Sequence, residues 1–436
     1  MKKLLILGAG TGGAILANMM ARKLDMAQWS ITVIDKREIH IYQPGFIFLP
    51  FRLYGYERRD VAVEPITKPL PVEAQFKKAR ILAIDYHKKR VETSEGRFDY
   101  DWLILGMGCR VEPSEVDGMA EGMGKNVFTF YTLDGAMALQ RALENMREGK
   151  LVVNIADMPI KCPVAPIEFV FLADYYFHKK GVRGNVEIEL VTPLSGAFTK
   201  PQAAKVLGKI AEEKNIKITP DFAISEVNHE KKIITSFGGD SVDYDMLVAI
   251  PPNLGPNVIE ESGLGDGAGF AVTDKETLKH KKAENIYVIG DNTNVPTSKA
   301  GSVAHFEAEI IRENLMSEIN GGEPKEYFDG HSNCFIESGY HKALLFDFNY
   351  DTEPLPGAFP LGALGPFSLL KETTLNHWGK MIFKFIYWNL LLKGTMPSDP
   401  LLPARMSFSG KDLSALAKNG EELIEGHTDT KPFFKD

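Results

Sequence analysis

The feature that most constrains the fold is a glycine-rich turn near the N-terminus. An apolar run from Lys3 to Leu7 predicts a buried strand, and the pattern from Ala14 to Leu24 predicts a helix. Between them lie the glycines of a Gly-x-Gly-x-x-Gly fingerprint, which are Gly8, Gly10 and Gly13. A second predicted strand ends at Asp35, where a carboxylate can accept hydrogen bonds from an adenosine ribose. Together these elements predict a dinucleotide site rather than a ligand-free glycine turn.

Two later segments resemble the other flavin-binding signatures of two-dinucleotide flavoproteins. A buried strand ends in Gly106-Met107-Gly108, which keeps the final glycine of the second signature but departs from its usual Ala-Thr-Gly. Another strand ends in Gly290-Asp291, where a carboxylate can accept a hydrogen bond from the ribityl chain of FAD. The helix that follows Lys299 would direct its positive N-terminal dipole toward a reduced flavin. The expected FAD-binding residues are Gly8, Gly10, Gly13, Asp35, Gly108, Gly290, Asp291 and Lys299.

A cysteine occupies the turn in which a second dinucleotide site is expected. Residues 150–170 predict a buried strand, a proline-rich loop and a helix that begins near Pro166. No glycine lies between Lys150 and Gly181, although a pyrophosphate needs glycines so that backbone N–H groups can approach it. Cys162 lies in this loop instead. The sequence therefore predicts an electron donor other than a nicotinamide cofactor.

Strands alternate with helices along most of the chain, which predicts an α/β fold with parallel sheets and crossovers. The resemblance to two-dinucleotide flavoproteins implies two Rossmann-like domains of the glutathione-reductase-like type. The segment Asp243–Pro252 repeats the form of Phe98–Gly108, as expected of a duplicated unit. The expected regions are a discontinuous FAD-binding domain (1–110 and 240–320), a second Rossmann-like domain without a nicotinamide fingerprint (111–239), and a C-terminal region (321–436).

Charge and cysteine content narrow the possible functions. The 436 residues carry a net charge of −8 and contain no basic run, so nucleic acid is not an expected partner. The three cysteines are too few for a disulfide scaffold, and their spacing predicts no metal site. Isolated cysteines are either inert core residues or redox groups, and without further motifs the inert interpretation is favoured.

The C-terminal region contains an apolar helix of distinctive composition over residues 375–393. Trp, Tyr, Phe and Lys side chains occur together, as is typical of the membrane–water boundary. His377, Lys380 and Lys384 share one face of the helix, which is too short and too interrupted by lysines to span a bilayer. We predict a membrane-associating segment, with a buried packing or dimer helix as the alternative.

With these motifs, the chain resembles the sulfide:quinone oxidoreductases, a family of monotopic membrane flavoproteins. The resemblance covers most of residues 3–395 and rests on the N-terminal glycines, Cys162-Pro with Glu168, Ile289-Gly290-Asp291, Cys334-Phe335, and Lys371-Glu-Thr with Asn376-His-Trp-Gly-Lys380. It implies FAD as cofactor and hydrogen sulfide and a membrane quinone as substrates. It also implies that Cys162 and Cys334 form a redox-active disulfide or polysulfide bridge beside the flavin. A peripheral, monotopic position on the cell membrane and a homo-oligomeric state are expected.

The resemblance also suggests roles for individual residues. Glu168 is expected to handle protons near the sulfur site, and an exposed acid at a helix N-terminus is the alternative. Phe335 and Phe367 are candidates to stack on the quinone ring, although aromatic side chains in an apolar stretch commonly serve in packing. Lys371 is a candidate for a hydrogen bond or charge near a quinone oxygen.

Some alternatives stay open at the level of sequence. Cys109 directly follows Gly108 and does not match the family's third cysteine, so we interpret it as a core thiol. A helper in sulfur handling or a site of flavin linkage are its other possible roles. For the whole chain, the alternatives are a type-II NADH:quinone oxidoreductase, the flavin subunit of a flavocytochrome c-type sulfide dehydrogenase, and a flavin-containing membrane scaffold or sensor without turnover.

Overall fold

The structure is a computed structural model that describes residues 1–61, 64–360, 362, 365–397 and 402–414. Its strands, in chain order, are β1 Lys2–Leu7, β2 Trp29–Asp35, β3 Ile39–His40, β4 Glu64–Pro65, β5 Ala74–Lys78, β6 Ile81–Asp85, β7 Arg90–Thr93, β8 Gly96–Asp99, β9 Trp102–Leu105, β10 Arg110–Val111, β11 Val127–Phe128, β12 Gly149–Ile155, β13 Val186–Val191, β14 Lys217–Thr219, β15 Ile224–Asn228, β16 Ile233–Ser236, β17 Ser241–Asp243, β18 Met246–Ile250, β19 Asn253–Leu254, β20 Ile286–Val288, β21 Ser332–Gly339, β22 Lys342–Phe348, β23 Gly357–Phe359 and β24 Phe367–Leu369.

The α-helices, in chain order, are α1 Thr11–Ala21, α2 Met119–Gly122, α3 Leu133–Asn145, α4 Ala165–Lys179, α5 Pro201–Glu213, α6 Asn257–Glu261, α7 Gly301–Ile319 and α8 Thr374–Ile386. A π-helical segment, Tyr387–Leu391, continues α8. The predicted helix at residues 375–393 is therefore present, with its last turns wound more loosely than an α-helix.

The first parallel sheet contains the N-terminal dinucleotide motif. Its strand order is β20-β9-β1-β2-β5, and β1 lies between β2 and β9 in parallel register. Helix α1 begins at Thr11, three residues earlier than predicted, because the Gly10 carbonyl already accepts the Ala14 N–H at 2.9 Å. Strand β5 lies in a stretch that shows no strand pattern in the sequence, and its pairing with β2 completes the sheet edge.

The second parallel sheet holds the cysteine loop. Its order is β11-β18-β12-β13-β14, with the buried strand β12 at its centre. Strand β18 pairs with both β12 and β11, so this unit extends to Ile250, beyond the predicted boundary at residue 239. The boundary falls short because β18 returns to the sheet only after a three-stranded antiparallel excursion.

The predicted internal repeat is visible in the topology. A three-stranded antiparallel sheet, β6-β7-β8, precedes β9 in the first unit, and β15-β16-β17 precedes β18 in the second. In each unit the following strand enters the parallel sheet beside the strand that carries the motif, β1 or β12. The two halves therefore share one construction, although only the first contains the glycine fingerprint.

A third, four-stranded sheet brings the C-terminal region against both units. Its order is β21-β22-β24-β23, so β21 is an edge strand. Helix α8 packs on β21 and β22, and α4 packs on β21 from the second unit. Within the described ranges, no helix is both long enough and apolar enough to cross a membrane.

Candidate active site

The N-terminal turn has the geometry of a phosphate cradle. Gly8 has a φ of +101°, and a Cβ on Gly13 would lie 1.8 Å from the Gly8 oxygen, so neither position accepts a larger residue. Gly10 is the N-cap of α1, and no side chain caps this helix end. The first-turn N–H groups therefore stay available for an anion, as a dinucleotide pyrophosphate requires.

Asp35 lies at the end of β2, as predicted. Its Oδ2 accepts the Ala9 N–H at 2.9 Å, and the Arg37 guanidinium lies 3.2 Å away. Burial would raise the pKa of this carboxyl, but the charge and hydrogen bonds of Arg37 outweigh burial and lower it. An ionised carboxylate at this point fits the expected contact with a ribose.

The second half of the cradle lies where β20 ends. Gly290 has a φ of +73°, and its N–H donates to Glu307 Oε2 at 2.6 Å. Burial raises the pKa of Asp291, although the nearby Lys299 and Lys161 charges oppose this. The next residue, Asn292, is fully buried, and neither its amide nitrogen nor its oxygen has a hydrogen-bond partner in the described part of the chain. Buried amides are normally satisfied, so this orphaned pair fits a site that a polar cofactor completes.

Asn292 was not among the predicted site residues. Its signal in the sequence is its position directly after Gly290-Asp291, at the carboxyl end of a parallel strand. Gly108 lies at the end of the neighbouring strand β9, has a φ of +72°, and leaves open space where a Cβ would be. The two predicted flavin motifs are thus adjacent in the sheet, beside the N-terminal glycines.

Lys299 connects this cradle to the cysteine loop. Its Nζ donates to the Thr293 carbonyl at 2.6 Å and lies 4.3 Å from the centre of the Phe270 ring. Burial lowers the pKa of Lys299, while Asp291 opposes the shift. Its backbone carbonyl accepts the Cys162 N–H at 2.8 Å. The cysteine loop is therefore held directly against the segment that follows Gly290-Asp291.

Cys162 is held in a strained conformation. Its φ of +48° lies in the left-handed region, which costs a non-glycine residue about 1–2 kcal/mol. The Tyr131 hydroxyl donates to the Cys162 carbonyl at 3.2 Å, which together with the Lys299 contact fixes the loop. Strain of this kind concentrates at functional sites, where the surrounding structure compensates for it.

The fold brings Cys162 and Cys334 together although they are 172 residues apart. Their thiols are hydrogen-bonded neighbours, and all three cysteines of the chain are free thiols in this structure. The hydrogen bond from Cys162 lowers the pKa of Cys334, and the Lys380 charge acts in the same direction. The same hydrogen bond, together with burial, raises the pKa of Cys162. Cys334 is therefore the more acidic of the two thiols.

Glu168 and Lys380 form a buried ion pair beside these cysteines. Their side chains are 2.6 Å apart, and Glu168 is 1% exposed, so its interpretation as an exposed helix N-terminal acid is wrong. Burial raises the pKa of Glu168 even though Lys380 lowers it. Burial alone would lower the pKa of Lys380, but Glu168 and the two cysteines outweigh it and raise the pKa.

The same pair closes the open edge of β21. Lys380 Nζ donates to the Phe335 carbonyl at 2.7 Å, and Glu168 Oε1 accepts the Glu337 N–H at 3.0 Å. These contacts take the place of a neighbouring strand, because an edge strand presents unpaired N–H and C=O groups. Lys380 was not a predicted site residue; the signal for it is the shared helix face with His377 and Lys384.

The predicted quinone residues are only partly brought together. The rings of Phe335 and Phe367 meet edge to face, with centroids 5.2 Å apart, and a Cβ on Gly379 would lie 2.7 Å from each ring. Both rings are half-buried. The Lys371 side chain is exposed, and its backbone carbonyl accepts a hydrogen bond from Asn376. The aromatic pair on Gly379 forms a small apolar platform, while the position of Lys371 does not test its role.

Cys109 lies on the FAD side rather than with the other cysteines. Its sulfur is 3.7 Å from Asn253 Oδ1 and 4.0 Å from Asp291 Oδ2. Burial, and then the Asp291 carboxyl, raise the pKa of Cys109 to about 12. It is therefore a protonated thiol at neutral pH. Cys109 is half-buried, and its role as a core thiol stays a prediction.

Helix α8 has a polar buried side and an apolar exposed side. Its buried residues include Asn376, His377 and Gly379. The exposed large hydrophobic residues recur along the opposite side at Leu375, Trp378, Ile382 and Phe385. This spacing defines one continuous apolar stripe on the helix surface.

Comparison with known proteins agrees with this geometry. A family model described as "Pyridine nucleotide-disulphide oxidoreductase" matches residues 2–153. The mitochondrial sulfide:quinone oxidoreductase of Mus musculus is 27% identical over 401 residues, which cover 90% of this chain and 86% of the relative. The chain is similar to sulfide:quinone oxidoreductases over nine-tenths of its length. The resemblance seen in the sequence motifs is thereby confirmed.

Solved structures confirm the fold. The sulfide:quinone oxidoreductase of Aquifex aeolicus superposes with a TM-score of 0.75 at 19% identity, covering 91% of this chain and 93% of that chain. The predicted α/β architecture is that of the pyridine nucleotide-disulphide oxidoreductases. A type II NADH:quinone oxidoreductase of Staphylococcus aureus is also similar, at 24% identity, over a smaller share of this chain, 79%.

Proposed function

We propose that this chain is an FAD-dependent sulfide:quinone oxidoreductase, which oxidises sulfide through Cys162 and Cys334 and reduces a membrane quinone. The observation that carries the proposal is the cysteine pair itself. Cys162 stands in the loop where a nicotinamide-binding enzyme needs glycines, and Cys334 is hydrogen-bonded to it. The loop is held by Lys299 against the motif expected to bind FAD.

The residues around the cradle suit FAD. Gly8, Gly10 and Gly13 allow a pyrophosphate to reach the α1 N-terminus, and Asp35 would hold the adenosine ribose. The ribityl chain would lie at Asp291, with the unsatisfied Asn292 nearby. FAD, when bound, takes up two electrons from the sulfur chemistry and passes them on to the quinone.

The two cysteines then act as a reactive disulfide. HS⁻ attacks one sulfur of an oxidised Cys162–Cys334 bridge, forms a new S–S bond there, and expels the other cysteine as a thiolate. Lys380 stabilises the expelled thiolate, since its charge lowers the pKa of Cys334. Glu168, a buried carboxyl that is ion-paired to Lys380, serves in proton transfer. The persulfide and the thiolate then lose one proton and two electrons, for which FAD would be the acceptor, and close a bridge that is longer by one sulfur. Repeated cycles lengthen the sulfur chain, which leaves as polysulfide or sulfur.

The apolar side of α8 would bind the membrane surface. Trp378 and Phe385 are 61% and 62% exposed, a large cost in water that insertion into the interface would remove. The Phe335–Phe367 pair packs against the same helix at Gly379, so a quinone could reach it from the bilayer. Lys371 would supply charge near a quinone oxygen. Peripheral membrane association and a homo-oligomeric state, which would add avidity for the membrane, belong to this proposal.

Flavin bleaching tests the function. Sulfide should bleach the FAD absorbance of the wild-type protein under anaerobic conditions, and decylubiquinone should restore it. Cys162→Ser and Cys334→Ser should slow bleaching at least 100-fold, because each removes half of the reactive disulfide. Cys109→Ser is the matched control and should bleach at the wild-type rate.

The alternatives give different results in the same assay. If both serine variants bleach with sulfide as fast as the wild type, the two-cysteine mechanism is wrong. Turnover with NADH and decylubiquinone comparable to that with sulfide would favour a type-II NADH dehydrogenase. A protein that no sulfide concentration bleaches would fit a flavin-containing scaffold or sensor.

A further inference from the structure

A buried carboxylate–histidine pair lies under the membrane-facing helix. Glu337 is 0% exposed and His377 is 1% exposed, and both Glu337 oxygens lie 2.9 Å from His377 Nδ1. The described residues that surround the pair include the titratable and charged groups Tyr54, His341, Glu168 and Lys380. A buried pair of this kind is poor evidence for stability, because desolvation offsets much of the attraction. Its presence therefore calls for another explanation.

The pair lies on the side of β21 that faces the aromatic platform. Phe335 and Glu337 are two residues apart on β21, so their side chains point to the same face of the strand. Phe335 packs at Gly379 of α8, and Glu337 binds His377 two residues earlier on that helix. Two residues of strand span about 7 Å, which places the pair next to the proposed quinone position.

The pair is connected to the protein surface. The Tyr54 hydroxyl donates to Glu337 Oε1 at 2.7 Å, and the Tyr54 ring lies 4.8 Å from the His377 ring. Tyr54 is half-buried, and the exposed His341 lies beside both Tyr54 and His377, with ring centroids 5.5 Å and 5.2 Å away. Each group in this series can donate or accept a proton.

We propose that Tyr54, Glu337 and His377 form the path by which protons from water reach the quinone. The proposal rests on the proposed function. Reduction of a quinone to a quinol adds two electrons, which come from the reduced flavin, and two protons. Glu337 holds Nδ1 of His377, and Nε2–H donates a proton to a quinone oxygen as the electrons arrive. As Nε2–H leaves, protonated Glu337 returns a proton to Nδ1 of His377 and is itself reprotonated through Tyr54 from water near His341. The imidazole then exchanges to the Nε2–H tautomer, and the cycle repeats for the second proton.

Separate measurement of the two half-reactions tests the path. In Glu337→Gln, His377→Asn and Tyr54→Phe, sulfide should bleach the flavin within twofold of the wild-type rate. Reoxidation by decylubiquinone should slow by about 10²-fold in the first two variants, as expected on loss of general acid catalysis, and less in Tyr54→Phe. The solvent deuterium isotope effect on reoxidation should rise. Tyr340→Phe is the matched control. It removes a hydroxyl on the β21–β22 hairpin that donates to Asp174 of α4, and both half-reactions should run at the wild-type rate.

Ferricyanide separates proton supply from structural damage. It removes electrons from a reduced flavin without taking up protons, so reoxidation by ferricyanide should be unchanged in every variant. Wild-type rates with decylubiquinone in both Glu337→Gln and His377→Asn would overturn the proposal. Equal slowing with ferricyanide and decylubiquinone would also overturn it, because the residues would then be structural. If sulfide fails to bleach even the wild-type flavin, the proposed function fails instead.

Discussion

At the residue scale, the charge of Lys380 adds to the effect of Cys162 in lowering the pKa of Cys334. The ammonium group is 2.6 Å from Glu168 and interacts with both sulfurs. A nearby cation favours the thiolate over the thiol, and each unit of pKa corresponds to about 1.4 kcal/mol. Glu168 keeps this cation in place and also satisfies the edge of β21. The ion pair therefore combines a structural and a chemical role.

Replacement of Lys380 by methionine should expose both roles. Loss of the cation raises the pKa of Cys334, so the pH profile of flavin bleaching by sulfide should move to higher pH, with a rate near pH 7 lower by about tenfold or more. The unpaired Glu168 should cost about 3–5 kcal/mol of unfolding free energy. Adding Glu168→Gln should restore much of the stability but not the rate. Lys384→Met, which breaks the more exposed pair with Asp60, is the control. An unshifted pH profile in Lys380→Met would contradict the argument.

At the element scale, α8 inverts the usual arrangement of a surface helix. Its polar residues Asn376 and His377 are buried, while Trp378, Ile382 and Phe385 are exposed. The polar residues on the buried side form hydrogen bonds inside the protein. Asn376 binds the Ser368 backbone, and His377 binds Glu337. The apolar side chains on the other side are exposed within the described structure, and a lipid surface would cover them.

Paired substitution on the exposed side tests this interpretation. Burial of a large apolar side chain contributes about 1.5–3 kcal/mol, so Trp378→Gln with Phe385→Gln should weaken binding to phosphatidylcholine vesicles about 100-fold or more. Bleaching by sulfide should persist, because neither side chain contacts the cysteine pair. Co-sedimentation with vesicles measures the binding. Phe237→Gln removes an 82% exposed aromatic residue elsewhere and should not change it. Equal sedimentation of the paired variant and the wild type would place the membrane contact elsewhere.

At the scale of the whole molecule, the sequence predicts local features better than long-range ones. The glycine turn, Asp35 and the strand ends at Gly108 and Gly290 follow from local patterns, and the structure places them in one sheet. The pairing of Cys162 with Cys334 came only from family resemblance, since spacing cannot bring distant residues together. Contacts between side chains of separate elements leave no pattern in the sequence. The contacts that Lys380 and Glu337 make with other elements are of this kind. The predicted domain boundary at residue 239 falls short for the same reason, because β18 joins the second sheet through pairing with the distant β12.

Across the whole molecule, side-chain contacts also join the N-terminal unit to the C-terminal segment. The Tyr387 hydroxyl bonds Thr11 at the start of α1 at 2.8 Å and His40 Nε2 at 2.7 Å. The His40 ring also packs edge to face on Trp388, with centroids 5.2 Å apart. Burial, and then the charge of Arg37, lower the pKa of His40 to about 4. The π-helical end of α8 thus rests on a histidine whose burial favours the uncharged form.

This histidine should make stability depend on pH in a defined window. A histidine with a pKa of about 6.5 when unfolded and about 4 when folded binds protons more readily in the unfolded chain. Its contribution is therefore fully present above pH 6.5 and falls as the pH drops to 4, by on the order of 3 kcal/mol. The buried Glu307 acts in the opposite sense, because burial raises its pKa to about 8 and its stabilising contribution is lost as pH rises. Glu307 is present in both the variant and the wild type, so its contribution cancels when their changes in Tm with pH are compared. His40→Gln should narrow the gap in Tm between pH 7 and pH 4.5 relative to the wild type, whereas the exposed His87→Gln should leave that gap unchanged. An equal gap in His40→Gln and wild type would show that His40 is not the group that titrates.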